Sequence, residues 1–208
     1  MSSVLGHSLT GLAVYELVKE KAGLPKGVGG AGLAVLLSVA SDLDVFAGFI
    51  APEMIQHRGP THSLLFGLGL SLTFAFIVSK RCFSRFLKAT AGLTLVCFSH
   101  LALDYLMGRG IGLPLFWPWS DKGYLGPAAI VPTAYYSSSW RGLLGLVHHS
   151  PTQTGMLWEL ILFGPLYPAA WLAGRKIDQK VKFLVLTLLL GVSLAGFVAF
   201  WTGYSLAF

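Results

Sequence analysis

Long apolar runs separated by short polar clusters dominate the chain. Four of them have the length and apolarity of membrane helices: about Gly30–Ile50, Thr61–Ser79, Ala89–Met107 and Gly155–Gly174. A fifth, residues 183–206, is the most apolar of all and carries no charge. A sixth, about Val4–Val18, is shorter. At 1.5 Å per residue it reaches about 22 Å against a hydrocarbon core of about 30 Å, so it either spans with its ends snorkelling or is re-entrant. Residues 108–154 are rich in Gly, Pro, Trp and Tyr and too irregular for a span. The pattern predicts an all-α fold, a polytopic membrane bundle of five to six transmembrane helices in one domain over 1–208, with 108–154 as a long irregular outer segment. No Lys or Arg precedes the first apolar stretch, and His7 and Glu16 interrupt it, so it does not resemble a signal peptide and is expected to remain on the mature protein.

Composition agrees with the pattern. Apolar residues make up 54% and charged residues 12% of 208. Soluble domains carry about 25% charged residues, and disordered chains are less apolar still, so both classes are excluded. The formal net charge of +6 points to cytoplasmic loops and not to nucleic acid. Lys19, Lys21 and Lys26 form one cluster, Lys80, Arg81, Arg85 and Lys88 a second, and Arg175, Lys176, Lys180 and Lys182 a third; together they hold 11 of the 15 cations. These clusters alternate with loops holding only Arg58, Arg109, Lys122 and Arg141. The basic loops are therefore expected on the cytoplasmic side of a bacterial-type inner membrane, with the C-terminus outside. Cys82 and Cys97 form no framework and read as packing residues with free thiols.

On that map all six histidines, with Asp42, Asp44 and Asp104, fall toward the outer side. Charged groups inside membrane helices cost at least about 2.5–3.5 kcal/mol at a helix centre and need partners. Asp42 and Asp44 are two apart, so on an α-helix they diverge by about 200°. They share a site only at a frayed helix end, or divide between ligand and supporting roles. His100 and Asp104 are four apart and face the same way. In His57-Arg58-Gly59-Pro60-Thr61-His62-Ser63, Pro60 suits a first helical turn. His62, Thr61 and Ser63 then sit at the positive helix end, with Arg58 as an anion donor. Metal ligands beside an anion-binding helix end suit phosphate-ester hydrolysis.

The candidate metal ligands are thus His7, Asp42, His57, His62, His100 and Asp104. With Asp44 they exceed one tetrahedral ion, leaving room for one or two divalent ions, zinc favoured, manganese or iron as alternatives. Asp44, Arg58, His62 and Glu159 are the candidate catalytic groups. Arg58, Thr61, Ser63, Trp117 and Trp119 are candidate substrate contacts, the two Trp residues flanking Pro118 as a lid or as an interfacial aromatic belt. Glu53 and the pair His148-His149 read as solvated loop residues, and Arg109 and Lys122 as head-group contacts or snorkelling cations.

At these residues the sequence resembles the YdjM-like, LexA-regulated family of inner-membrane proteins, described as membrane-bound metal-dependent hydrolases. The matching elements are Gly6-His7, Ser41-Asp42-Leu43-Asp44, His57-Arg58-Gly59-Pro60-Thr61-His62-Ser63, Ser99-His100 with Asp104, and Leu115-Phe116-Trp117-Pro118-Trp119-Ser120, in order over about the first 120 residues. The ligand succession is more distantly similar to zinc-dependent phospholipase C and P1 nuclease. The resemblance implies membrane location and a divalent-metal hydrolase site. The expectation is a hydrolase cleaving a phosphoester of a lipid or lipid-like substrate at the extracytoplasmic face, the bilayer being its other partner. Alternatives are a non-catalytic metal-stabilised sensor or scaffold, or a metal or proton transporter; the oligomeric state stays open.

Overall fold

The structure, a computed structural model, describes residues 2–50, 57–127, 129, 137 and 139–205. Glu53 lies outside the described residues. Among those described, the chain is helical with one isolated antiparallel bridge between Leu113 and Tyr124. Helix α1 covers Val4–Ala22, α2 Gly27–Val39, α3 Asp44–Ile50, α4 Leu64–Ser79, α5 Phe83–Leu106, α6 Trp140–Gly145, α7 Ser150–Phe163, α8 Leu166–Ala173 and α9 Gln179–Ser205. The stretches Gly27–Gly48, Phe83–Leu106, Ser150–Ala173 and Gln179–Gly203 are long and apolar enough to cross a membrane, and Leu64–Ser79 is a shorter apolar helix. This is the all-α membrane bundle the pattern predicts.

The boundaries differ in instructive ways. Helix α1 runs on past Val18 for a total of 19 residues, about 28 Å. Ser3 caps its start by accepting from the Leu5 and Gly6 amides, and Gly23, in the left-handed region at φ 64°, closes its end. Lys19 and Lys21 in the last turn suit the negative end of the helix. The expected helix over 30–50 is interrupted by a 3-10 turn at Ala40–Leu43. Tighter winding turns about 120° per residue and not 100°, which brings Asp42 and Asp44 closer in direction. The expected helix over 155–174 starts earlier, with Pro151 in its first turn. It breaks between α7 and α8, where Pro165 lacks the N–H a continuous helix needs. Helix α5 begins at Phe83, because Arg85 and Lys88 can extend to the interface without ending the helix.

Helices α1, α4 and α7–α8 run from the end bearing the histidines to the end bearing the lysine and arginine clusters; α2, α5 and α9 run back. Helix α1 is central, packing against α2, α5, α7 and α8. A Cβ at Gly11 would lie 2.3 Å from Ser38 Cβ, so only glycine lets α1 and α2 approach this closely. Tyr15, Ala34, Leu37, Leu93, Val96 and Cys97 form the core below the histidine end. Helix α9 packs on α7 and α8 through Ser193 Oγ, which donates to the Leu162 carbonyl at 2.8 Å, and otherwise presents exposed Leu184, Leu188 and Leu194, as a lipid-facing helix does.

Candidate metal centre

Four elements deliver the polar residues. His7 stands in the first turns of α1, Asp42 in the 3-10 turn before α3, and His62 in a 3-10 turn at Pro60–His62. His100 and Asp104 share one face of α5, as their spacing requires. His57 lies in the loop leading to Pro60. The side chains of His7, His62, His100 and Asp104 are fully buried, and Asp42 and Asp44 nearly so. All six expected ligands converge. Three overlapping groups could hold a metal ion: His7 with Asp42 and His100, Asp42 with His57 and His62, and His62 with His100 and Asp104.

The distances identify the kind of contact. His7 Nε2 stands 3.8 Å from Asp42 Oδ2 and 3.5 Å from Asp104 Oδ1. His62 Nε2 stands 3.5 Å from Asp42 Oδ1 and 3.7 Å from Asp104 Oδ2. His100 Nε2 and His57 Nε2 lie 3.6 and 4.0 Å from Asp42 Oδ1. These are too long for hydrogen bonds. They are close to the separation, about 3.4 Å, of two atoms that each lie about 2.1 Å from one tetrahedral ion. Both nitrogens of His7, both oxygens of Asp42, and Nε2 of His62 and of His100 are buried without a hydrogen-bond partner, while Asp104 Oδ2 faces Arg58 Nε at 3.2 Å. Buried polar atoms are almost always satisfied, so a convergent set of orphans fits a cation in their midst.

The opposite ring nitrogens are held from outside. His100 Nδ1 lies 2.8 Å from the Ser38 carbonyl. His57 Nδ1 lies 2.8 Å from Asp44 Oδ1. His62 Nδ1 is 3.3 Å from Asp44 Oδ2 and 3.1 Å from Thr61 Oγ1, while Thr61 Oγ1 donates to Asp44 Oδ2 at 2.8 Å. Such partners fix which nitrogen faces the ligand. The rings also touch: His7 stacks on His100 at 3.8 Å, and His62 meets His57 and His100 edge-on at 5.0 and 5.1 Å.

Arg58 departs most from expectation. It is buried, with φ 64°, a conformation that costs a non-glycine residue about 1–2 kcal/mol. Its Nη1 donates to the Arg109 and Ile111 carbonyls at 3.0 and 2.6 Å, its Nε lies 3.2 Å from Asp104 Oδ2, and its amide donates to Asp44 Oδ2 at 3.2 Å. The guanidinium therefore faces protein acceptors. The helix-end amides are engaged too: His62 to the Gly59 carbonyl, Ser63 to Pro60, Leu64 to Leu115. Ser63 Oγ donates to the Pro60 carbonyl at 2.7 Å and caps α4 by accepting from the Phe66 amide.

Glu159 is fully buried against the start of α1. Its carboxylate accepts from Ser2 Oγ at 2.6 Å, from the Ser3 amide at 2.7 Å and from Ser3 Oγ, while the Ser2 amide donates to Asp104 Oδ1 at 3.2 Å. Gly6 leaves room for this: a Cβ there would lie 2.8 Å from Glu159 Cδ. Trp117 and Trp119 are exposed on the loop that Leu115 ties to the start of α4, and His148 and His149 are exposed. Sequence reasoning missed Ser2, Ser3 and Ser38. Ser3 was detectable as an N-cap before an apolar run. Ser38 acts through its carbonyl, which any residue supplies.

A family model described as YdjM inner membrane protein matches residues 1–202. Inner membrane protein YbcI of Escherichia coli (strain K12) is 30% identical over 108 residues, which is 50% of this chain and 62% of that relative. The match thus spans less than two thirds of the relative's length. No solved structure matches.

Proposed function

Since the chain belongs to the YdjM inner membrane protein family, we propose that it is a membrane-embedded metal-dependent hydrolase whose centre lies at the extracytoplasmic end of the bundle. The observation that carries this reading is the convergence of unpartnered, buried nitrogen and oxygen atoms from His7, Asp42, His62 and His100 beside the buried Asp104 carboxylate. With His57 they form a donor set of imidazoles and carboxylates that suits zinc and also accepts manganese or iron. A divalent ion held there supplies Lewis acidity, lowering the pKa of a water toward about 7 and polarising an ester or phosphoester oxygen. Asp44, a candidate catalytic group by sequence, acts as a positioning residue that orients His57 and His62. Arg58 is a clamp on Asp104 and on the Arg109–Ile111 loop. Glu159 anchors the α1 end that carries His7.

The cluster approaches the surface at Asp42, beside which Leu43 and Phe46 are 49% and 46% exposed. That apolar border favours a lipid or lipid-like ester as substrate, with lipid phosphoesters the first to screen. With Arg58 and the helix-end amides engaged by protein, preference for a phosphoester rests on the metal alone. The apolar core beneath the cluster, around Leu37, Leu93 and Val96, speaks against a transport pathway.

The first test is metal content of detergent-purified protein by elemental mass spectrometry, beside His62→Ala and Asp104→Ala. Stoichiometric metal lost in both folded variants is expected; protein that neither carries nor takes up Zn²⁺ or Mn²⁺ sinks the reading. A second reading, a metal-stabilised scaffold, is favoured by the near-complete burial of the donors. Cobalt-loaded protein separates the two: visible absorption that shifts on adding small anions shows an accessible coordination position, and unchanged absorption supports the scaffold.

A further inference from the structure

We propose that the centre takes two divalent cations, with Asp42 and Asp104 both bridging them. The inference rests on the metal reading above and specifies how the donors divide. Two carboxylates stand between His7 and His62, and each turns a different oxygen to either side. Asp42 presents Oδ2 to His7 at 3.8 Å and Oδ1 to His62 at 3.5 Å. Asp104 presents Oδ1 to His7 at 3.5 Å and Oδ2 to His62 at 3.7 Å. The two residues repeat one arrangement, which is what a pair of ions joined by two carboxylates requires.

A single ion accounts for this poorly. A tetrahedral ion takes four donors, whereas four imidazoles and two carboxylates converge here. If one ion sat on the His62 side, His7 Nε2 and the Asp42 oxygen facing it, Oδ2, would stay buried and unsatisfied. Placed on the His7 side, it would orphan Nε2 of His62 instead. Two ions satisfy both sides. The first takes His7 with Asp42 Oδ2 and Asp104 Oδ1. The second takes His62 and His57 with Asp42 Oδ1 and Asp104 Oδ2. His100, grouped with His7 in one candidate set and with His62 in another, lies between them. The second set supplies the four donors of a tetrahedral ion and the first only three, so the open position falls on the His7 side unless His100 closes it.

The test is stoichiometry. Full-length protein in detergent, saturated with Zn²⁺ and desalted, is expected to hold two ions per chain, and His7→Ala one. Circular dichroism and a monodisperse elution profile establish that the variant is folded. Because a glycine-neighboured helix start can fail on substitution, a second measurement uses wild-type protein alone. Titration with Mn²⁺ followed by electron paramagnetic resonance is expected to give an exchange-coupled spectrum at two equivalents. Saturation at one ion per chain, with only an isolated six-line manganese signal, overturns the proposal and leaves the single-metal reading standing. A folded His7→Ala that still holds two ions overturns the partition. No bound ion at all overturns both readings.

Discussion

Arg58→Ala separates two roles for one residue, because an anion-binding arginine and a structural clamp fail differently. In the folded chain the guanidinium meets two backbone carbonyls at 3.0 and 2.6 Å and Asp104 Oδ2 at 3.2 Å. Truncation leaves two part-buried carbonyls without that donor and a buried carboxylate without its counter-charge. An orphaned neutral group costs about 1–3 kcal/mol, and breaking a buried ion pair about 3–5 kcal/mol. The carbonyls can turn partly toward solvent, so about 3–5 kcal/mol is expected in all. That is a large share of a typical net stability of about 5–15 kcal/mol. Metal affinity should fall as well, since losing a group that orients a ligand typically costs 10–100-fold. The assays are thermal unfolding of the metal-free protein in detergent and chelator competition for Zn²⁺. Arg58→Lys, with one compact ammonium in place of a fork, should recover only part of either loss. If Arg58→Ala unfolds at the wild-type temperature and keeps its zinc affinity, while weakening inorganic phosphate binding, the clamp assignment is wrong and Arg58 is an anion donor after all.

Other substitutions probe the supports around the centre. Helical Gly→Ala normally gains up to about 1 kcal/mol. Gly6→Ala should instead lower the unfolding temperature, its Cβ falling 2.4 Å from Ser2 Oγ, whereas Gly69→Ala in α4, with nothing within 4 Å, should be neutral or stabilising; equal effects would refute the tight α1–α7 contact. Glu159→Gln should destabilise by about 1–3 kcal/mol through weakened bonds to Ser2 and Ser3 but keep the wild-type metal count once folded; a variant of unchanged stability would return Glu159 to the catalytic candidates. Asp44→Asn should weaken zinc binding by about 10–100-fold through His57 and His62, read by chelator competition, and an unchanged affinity removes its positioning role. Cys82 is a free, exposed thiol at the basic end. It should resist a membrane-impermeant maleimide in intact spheroplasts and react in inverted vesicles, with Cys82→Ala as the blank; labelling from outside would place the metal centre on the cytoplasmic side.

The buried His/Asp cluster was legible in the sequence because membrane helices make buried charge conspicuous. His7, Asp42, His57, His62, His100 and Asp104 interrupt apolar runs at one end of alternating spans, and charge placement alone predicted that they meet. What stayed hidden depends on backbone. The 3-10 turn at Ala40–Leu43 that sets Asp42 toward the histidines and Asp44 behind them leaves no mark in hydropathy. Arg58 looked like an anion donor because residue type does not reveal that carbonyls of Arg109 and Ile111 would face it. Helix α1 read as too short because Glu16, Lys19, Glu20 and Lys21 lower its hydropathy. As an inner helix surrounded by α2, α5, α7 and α8, it has little need to be lipid-compatible.

Charge and distance together favour the proposed metal centre over a packing network. Asp42, Asp44, Asp104 and Glu159 against Arg58 leave this buried end three negative charges in excess if all are ionised and the histidines neutral. Such an excess is not sustained in a low-dielectric interior without compensation. Protonated histidines could supply it, but an imidazolium facing a carboxylate closes to a hydrogen bond of about 2.7–2.9 Å. A contact of that length does occur between His57 Nδ1 and Asp44, at 2.8 Å, where a neutral ring N–H suffices. The Nε2 contacts of His7, His62 and His100 with Asp42 and Asp104 stay open at 3.5–3.8 Å. The chain holds these groups apart by about the width of a coordinated ion. One divalent ion brings the excess to one negative charge and two ions to one positive charge, so neutrality does not select the count. The choice falls to the way the two carboxylates divide their oxygens between His7 and His62.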